Sequence, residues 1–262
     1  MLNKSFRYYK FLLNGVSKYK VHSPFVYEFI EKVLEDKEVY YCYLAIEHVR
    51  RKLAKQKQTI ILNDLGQGNN SNVRQTTTIN RLLNNVQSST QKAQLLFRIA
   101  NYYQCSTILE IGTSLGFTTA YLANSNKKAK VVTIEGDPEI SSIAQNIFNQ
   151  LGLKNVTLLN SPFDSILNDV LTDSFQLIFF DGNHSKEATL RYFNWAKNHI
   201  NDETIFVFDD IYWSESMKEA WCVIIEDSSV CLSIDLFSIG IVFFNPNREK
   251  QQFKLVHSSN FY

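Results

Sequence analysis

The chain has 262 residues, 45% of them apolar, which is enough to bury a full core in one domain with an appendage. Its 27 Lys and Arg residues nearly balance 26 Asp and Glu residues, so no overall field would hold nucleic acid or an anionic membrane. The four cysteines are scattered without metal-ligand spacing, which favours the reduced thiols of a cytoplasmic protein. No stretch approaches about 18 consecutive apolar residues, so we expect no membrane-spanning helix.

The N-terminal part of the chain is rich in aromatic residues. Over residues 1 to about 55, Phe25, Phe29 and Val33 follow a near-helical spacing, which predicts a helical cap. An apolar run from Thr59 leads to glycines 66 and 68 and then to the polar stretch 69–78, which predicts a loop or connector. We therefore expect a helical cap with its connector over residues 1–80 and the main domain over residues 81–262.

From residue 82 onward, helical and strand patterns alternate. Strands are predicted at Thr107–Ile111, Lys130–Ile134, Val156–Leu159, Phe175–Phe180, Thr204–Phe208, Val230–Leu236 and Ile239–Phe244. Near-continuous apolar runs are typical of strands covered on both faces, as in the parallel sheet of an α/β protein. Only Phe237 and Ser238 separate the last two strands, so these form a hairpin and one of them runs antiparallel to the rest.

The first strand of the main domain runs through a glycine loop directly into a helix, over residues 107–123. Gly112 and Gly116 permit a tight turn and a close approach of the backbone to a ligand. The loop lacks the second glycine of the G-x-G-x-x-G pattern, so it favours a ligand without phosphates. Glu110 at the end of the strand supports this interpretation, because a carboxylate attracts a cationic group and repels a phosphate.

Polar residues follow the next two strands at the edge where ligands bind to open α/β sheets. The second strand ends at Glu135, about twenty residues past Gly112. At this position a carboxylate can hold the two hydroxyls of a ribose. The third strand is followed by Ser161 and Phe163, which offer a polar group and an aromatic wall for a base.

Three acids follow the fourth and fifth strands. Asp181 comes after the fourth strand, and Asp209 and Asp210 come at the end of the fifth. Clustered acids repel each other unless a cation or a shared proton relieves them, so Mg²⁺ or another divalent cation is one interpretation. Capping of the following helices, or contact with a cofactor amine, is the other. His184 is a candidate general base, because histidine can take up a proton near neutrality.

Together, the segments Glu110-x-Gly-Thr-Ser-x-Gly116, Glu135, Asp181-Gly-Asn-His184 and Asp209-Asp-Ile-x-Trp-Ser214 resemble the class I S-adenosylmethionine-dependent methyltransferases. Within that class the chain is most similar to the small-molecule O-methyltransferases of the catechol and caffeoyl-coenzyme A type. The resemblance covers about residues 80 to 245. It implies a Rossmann-like α/β fold, with a seven-stranded sheet of order 3-2-1-4-5-7-6 whose last strand is antiparallel, beneath the helical N-terminal cap.

The resemblance also implies positions for the cofactor. The glycine loop would lie against the methionine part of S-adenosylmethionine, with Glu110 near its ammonium and Glu135 on its ribose hydroxyls. The cofactor-binding residues expected are Glu110, Gly112, Thr113, Ser114, Gly116, Glu135, Ser161, Phe163 and Asp181.

The same resemblance implies the catalytic groups. His184 and Asp181 are expected to be catalytic, and Asp181, Asp209 and Asp210 to be metal ligands. Asp210 replaces an asparagine of the related family, and His184 stands where that family places a lysine base.

The expected function is methyl transfer from S-adenosylmethionine to a hydroxyl of a small-molecule acceptor, assisted by a divalent cation if the acids bind one. Neither a nucleic acid nor a membrane is expected as a partner, and assembly into a homodimer is left open. Two alternatives remain: a nicotinamide-dependent oxidoreductase on a Rossmann sheet, and a non-catalytic module that binds the cofactor.

Overall fold

A computed structural model of the protein describes residues 4–56, 59–63, 74–85, 89–126, 128–172 and 174–257. The α-helices are α1 (Lys4–Asn14), α2 (Pro24–Phe29), α3 (Tyr41–Ala54), α4 (Ile79–Asn85), α5 (Thr90–Tyr102), α6 (Phe117–Asn124), α7 (Pro138–Gln150), α8 (Phe163–Val170), α9 (Lys186–Ala196) and α10 (Glu215–Glu226). The strands are β1 (Thr59–Asn63), β2 (Arg74–Thr78), β3 (Thr107–Ile111), β4 (Lys130–Glu135), β5 (Val156–Asn160), β6 (Leu177–Phe180), β7 (Ile205–Asp209), β8 (Leu232–Asp235), β9 (Ile239–Phe243) and β10 (Gln251–Lys254). The chain thus alternates helices and strands from α5 onward, and the seven strands predicted from the apolar runs are confirmed as β3 to β9.

The chain divides into two compact units. One comprises Lys37–Asp169 and contains the glycine loop, and we call it the glycine-loop unit. The other comprises Met1–Asp36 and Val170–Tyr262, and we call it the aspartate unit. Both units take residues from each side of position 80, so the division into a cap (1–80) and a main domain (81–262) stays a prediction.

In the glycine-loop unit, strand β4 pairs in parallel with β3 on one side and with β5 on the other. Strands β3, β4 and β5 are strands 1, 2 and 3 of the predicted sheet, so this is the 3-2-1 half of the predicted order. Helices α3, α5, α6 and α7 contribute to an apolar core that includes Phe97, Phe117, Tyr121 and Ile147. The core places the end of β3, and with it the start of the glycine loop, against rigid secondary structure.

The connector of the glycine-loop unit differs from the prediction. Residues 74–78 were expected in a loop, but they form strand β2, which pairs antiparallel with β1 from Thr59↔Thr78 to Asn63↔Arg74. Three consecutive threonines, 76–78, suit a strand because β-branched side chains fit a pleated surface. Glycines 66 and 68 and the polar residues 69–73 lie outside the described residues.

In the aspartate unit the strand order is β6-β7-β9-β8-β10. Strands β6 and β7 are parallel, and β9 is antiparallel to both of its neighbours, β7 and β8. Strands β6, β7, β8 and β9 are strands 4, 5, 6 and 7 of the predicted sheet. The 4-5-7-6 half of the predicted order and the antiparallel last strand, β9, are therefore confirmed. The two-residue link Phe237-Ser238 makes the predicted hairpin.

Strand β10 is an addition to the seven predicted strands. It pairs in parallel with β8 at the edge of the sheet. Its sequence Gln-Gln-Phe-Lys has a single apolar residue and alternates between half-buried and exposed positions. A short, polar edge strand gives a weak apolar signal, which is why the sequence did not indicate it.

The helical character predicted for the N-terminal part is confirmed by α1, α2 and α3. Helices α1 and α2 belong to the aspartate unit, where Val16 forms a parallel bridge with Leu255 and Phe25 meets Phe243 edge to face at 5.1 Å. No helix in the described ranges is both long and apolar enough to cross a membrane.

Candidate functional site

The glycine loop between β3 and α6 takes the tight conformation predicted for it. Gly112 (φ 105°), Ser114 (φ 50°) and Gly116 (φ 79°) all have left-handed backbone conformations. The amides of Gly112 and Thr113 both donate to the Ile134 carbonyl at 3.1 Å, which ties the loop to the end of β4. Gly116 then forms the N-cap of α6.

Gly116 is required by packing as well as by its backbone conformation. A Cβ at this position would lie 2.5 Å from a ring carbon of Phe148 in α7. Such a contact is far shorter than the separation at which carbon atoms pack. Gly116 therefore allows α6 to start directly against α7.

Glu110 is fully buried, with 0% of its surface exposed. Its Oε2 accepts hydrogen bonds from the hydroxyls of Thr119 in α6 and Thr133 in β4, the latter at 2.6 Å. Among the described residues, no donor reaches its Oε1. Burial raises the pKa of Glu110 to about 7, the two threonine bonds lower it, and the charge of Glu135 raises it further.

The Glu110 network extends into the glycine loop. The hydroxyl of Thr113 lies 2.6 Å from the hydroxyl of Thr133, which itself donates to Glu110. Glu110 thus fixes the loop through Thr133 and keeps one buried carboxylate oxygen unpaired within the described structure.

Glu135, at the end of β4, lies directly beside the glycine loop. Its Oε2 accepts from the Ser114 amide at 2.8 Å and its Oε1 from the Asp137 amide at 3.0 Å. Burial raises its pKa, while the backbone hydrogen bonds lower it. A third backbone hydrogen bond comes from Gly136, and a carboxylate has about four lone-pair sites, so capacity remains for a ligand hydroxyl.

The residues predicted after β5 are brought to the same place. The Ser161 amide donates to the Glu135 carbonyl at 3.0 Å, and the Asn160 side chain donates to the same carbonyl at 2.8 Å. Ser161 and Phe163 are both half-buried, and Phe163 opens helix α8. The glycine-loop unit therefore gathers Glu110, the loop, Glu135, Ser161 and Phe163 at the carboxyl ends of three adjacent parallel strands.

The aspartate unit brings the predicted acids together at the ends of β6 and β7. Phe180 pairs with Phe208, so Asp181 and Asp209 continue two adjacent parallel strands side by side. Nε2 of His184 lies 3.7 Å from Oδ1 of Asp181, and both side chains are partly exposed. Asp181 and His184 therefore lie next to each other just after the carboxyl end of β6.

The predicted metal ligands Asp181, Asp209 and Asp210 lie at the ends of two adjacent parallel strands, β6 and β7. Across the described ranges, no group of three or more His, Cys, Asp or Glu side chains is placed to hold a metal ion. Asp210 has a left-handed backbone (φ 52°), whereas Asp209 is the last residue of the regular strand β7. Neighbours with such different backbones need not aim their carboxylates at a common point. The metal ligands Asp181, Asp209 and Asp210 stay a prediction that this geometry does not favour.

Two tryptophans lie in helix α10 and in the turn before it. Trp213 is 59% exposed. Trp221 is only 2% exposed, and its ring occupies the space that a Cβ on Gly240 would need, at 2.6 Å. Trp221 is therefore a core residue that packs against β9.

Four residues around the site were not identified in the sequence. Thr119 and Thr133 hold Glu110, and Tyr212 is bound to Asp235 at 2.9 Å. A usable signal was present for two of them, because Thr133 and Asp235 are polar residues inside apolar strands. A buried polar side chain needs a partner, so its position implies a hydrogen-bonded network.

Residues 109–211 match the family model described as a methyltransferase domain. The chain is 28% identical over 128 residues to a catechol O-methyltransferase of Niastella koreensis, covering 47% of this chain and 57% of that protein. It is 29% identical over 125 residues to a catechol O-methyltransferase of Mycobacterium tuberculosis, covering 47% and 56%. The chain thus spans little more than half the length of these curated relatives.

The fold is also found in solved structures. The O-methyltransferase TomG of Streptomyces achromogenes, which is involved in tomaymycin synthesis and was solved with S-adenosylmethionine, superposes with a TM-score of 0.57. The two sequences are 17% identical, and the superposition covers 79% of this chain and 91% of TomG. The resemblance inferred from the loop and the strand ends is confirmed: the chain has the fold of the class I S-adenosylmethionine-dependent methyltransferases, and the match to the methyltransferase-domain model lies at residues 109–211.

Proposed function

We propose that this protein transfers a methyl group from S-adenosylmethionine to a hydroxyl of a small-molecule acceptor. The observation that carries the proposal is the pair of carboxylates flanking the glycine loop. Glu110 presents a buried oxygen without a donor among the described residues, and Glu135 lies against the loop backbone at Ser114. An unpaired buried carboxylate oxygen is costly unless a cation or donor meets it, which an ammonium group would do.

These residues fit S-adenosylmethionine better than a phosphate-bearing cofactor. Glu110 would hold the ammonium, Glu135 the ribose hydroxyls, and Ser161 and Phe163 the region of the base. Two carboxylates beside the loop would repel a pyrophosphate. The nicotinamide-dependent oxidoreductase is for this reason not favoured, in agreement with the fold and the family match.

The proton chemistry is assigned to the aspartate unit. S-adenosylmethionine, when bound, supplies a methyl group on a positively charged sulfur. His184 would accept the proton of the acceptor hydroxyl, and Asp181 would orient the imidazole and stabilise its positive charge. The acceptor must also be held in line with the methyl group, which is a matter of positioning. No step of this proposal passes through a metal.

The donor half is tested by calorimetric titration with S-adenosylhomocysteine. We expect the wild-type chain to bind it and Glu135→Ala to bind it at least about tenfold more weakly, since hydrogen bonds to a charged group contribute about 1.5–3 kcal/mol. Asp202→Ala, which removes an exposed carboxylate before β7, should bind like the wild type. If S-adenosylhomocysteine did not bind to the wild-type chain, the proposal would be overturned.

The transfer half is tested with labelled S-adenosylmethionine and a panel of hydroxyl acceptors. The curated relatives named catechol O-methyltransferase make catechols the first class to try. His184→Ala should lower kcat by about 100-fold or more, the range of general-base catalysis, while keeping its affinity for S-adenosylhomocysteine. Intact binding without transfer to any acceptor would instead favour the non-catalytic module.

Assembly into a homodimer stays open, and the lack of a nucleic-acid partner and the cytoplasmic location stay predictions.

A further inference from the structure

The turn between β7 and α10 has an unusual backbone at the candidate acceptor side of the site. It follows Asp209, and its first residue, Asp210, is left-handed (φ 52°) without being a glycine. The Trp213 amide donates to the Asp210 carbonyl at 2.8 Å, and Ser214 then caps α10 by accepting from the Met217 amide at 3.1 Å. A non-glycine residue keeps such a conformation only where its surroundings impose it.

A buried pair of side chains supplies part of those surroundings. The Tyr212 hydroxyl donates to Oδ2 of Asp235 at 2.9 Å, and both residues are buried. Oδ1 of Asp235 accepts from the Phe237 amide at 2.8 Å, which stabilises a second left-handed residue, Phe237 (φ 72°), in the β8–β9 hairpin. The Tyr212 and Phe237 rings stack with centroids 5.0 Å apart. Asp235 therefore joins the two strained turns.

Helix α1 holds the same turn from a second element. Tyr8 and Phe11 contact the Phe237 ring at centroid distances of 5.0 and 5.5 Å. The guanidinium of Arg7 donates to the Trp213 carbonyl at 3.1 Å. The Trp213 backbone is thus bonded on both sides, while its indole ring stays exposed.

We propose that Tyr212, Asp235 and Arg7 are positioning residues that hold the Asp210–Trp213 turn in one geometry for the methyl acceptor. This inference rests on the proposed methyl transfer. The turn directly follows Asp209, which lies beside Asp181 in the pairing of β6 and β7. A misplacement of about 1 Å at such a site can cost about 100-fold in rate, so rigidity of the turn acts on the acceptor.

The first test is Tyr212→Phe, which keeps the ring stack and removes the hydroxyl. We expect kcat/KM for the acceptor to fall about tenfold or more, while the dissociation constant for S-adenosylhomocysteine stays within about twofold. Arg7→Ala should act in the same direction without disturbing the buried pair. Ile205→Ala is the control, because it removes core volume at the opposite end of β7.

The second readout does not depend on activity. In a Trp195→Phe background, acrylamide quenching reports mainly on Trp213, because Trp221 is buried. Tyr212→Phe and Arg7→Ala should increase this quenching, and Ile205→Ala should not. The inference would be overturned if Tyr212→Phe and Arg7→Ala changed kcat/KM and Trp213 quenching no more than Ile205→Ala does at the same loss of melting temperature. If the wild-type chain transfers no methyl group, the proposed function fails. Unchanged Trp213 quenching in Tyr212→Phe and Arg7→Ala would separately overturn the positioning role.

Discussion

Glu110 is a carboxylate within the apolar strand β3, and its surroundings determine its protonation. It is fully buried, two threonine hydroxyls share one of its oxygens, and burial holds its pKa at about 7. Its folded-state pKa thus lies above the ordinary value of 4.5 for a glutamate. The folded chain consequently binds the Glu110 proton more tightly than the unfolded chain does.

This shift predicts a pH dependence of stability. Between pH 4.5 and about 7 the folded state retains a proton that the unfolded state loses, so the free energy of unfolding falls as pH rises through this window. The free energy of unfolding falls by on the order of 3 kcal/mol over this window, because each unit of pKa shift corresponds to about 1.4 kcal/mol. Glu110→Gln, which can still accept both threonine bonds, should remove this part of the slope in urea unfolding measured at several pH values.

The comparison needs a control because burial also raises the pKa of Asp235, to about 6, and that of Glu135. These groups contribute a slope of the same sign in both proteins, so the prediction concerns the difference between them. Glu187→Gln, at an exposed position, should leave the slope unchanged. Equal slopes for Glu110→Gln and the wild type would contradict the buried, protonated Glu110.

At the scale of elements, the contact of α6 with α7 depends on Gly116, the N-cap residue of α6. Gly116 combines a left-handed backbone with a Cβ position 2.5 Å from the Phe148 ring. Gly152 also has a left-handed backbone (φ 68°), but no described atom lies within 4 Å of its Cβ position. The two glycines separate the backbone contribution from the packing contribution.

Substitution by alanine should therefore affect them differently. Gly152→Ala is expected to cost about 1–2 kcal/mol, the penalty for a left-handed residue. Gly116→Ala should cost roughly 2–5 kcal/mol, because overpacking against Phe148 adds about 1–3 kcal/mol to that penalty. Urea unfolding of both variants measures the difference. An equal loss of stability would show that α6 and α7 separate at little cost.

At the scale of the whole molecule, the N-terminal residues are part of the aspartate unit's core. Val26, Phe29 and Val33 are 0% exposed, and Phe29 meets Phe243 of β9 at 6.4 Å. The Val16 amide donates to the Lys254 carbonyl at 2.8 Å, which joins the N-terminal segment to β10. Segments far apart in the sequence thus form one compact unit.

A chain starting at residue 37 should consequently be unstable. Removing residues 1–36 exposes the apolar surface of β9 that α2 covers, and we expect loss of soluble protein or a clearly lower melting temperature. Phe29→Ala in the full chain should cost about 3–5 kcal/mol for the same reason. Thermal unfolding of both variants provides the check. A chain of residues 37–262 with an unchanged melting temperature would support an appended cap instead.

Much of the fold could be predicted because its strands are apolar runs of the right length. The strands β3 to β9 and the β8–β9 hairpin follow from local composition and from a two-residue link that admits no crossover. Strand β10 and the pairing of β1 with β2 could not be predicted, because β10 has a single apolar residue and β2 lies in a polar stretch. Trp221 shows the same limit: its burial in helix α10 depends on Gly240 of strand β9.

The candidate site divides in the same way. The sequence by itself determined the glycine loop and the acids at the strand ends, because such residues follow strands in a local pattern. Only the tertiary structure decided that Thr119 and Thr133 meet Glu110 and that Asp235 binds Tyr212. Hydrogen-bond partners, burial and pKa depend on which strands and helices become neighbours in space, and spacing along the chain does not contain that information.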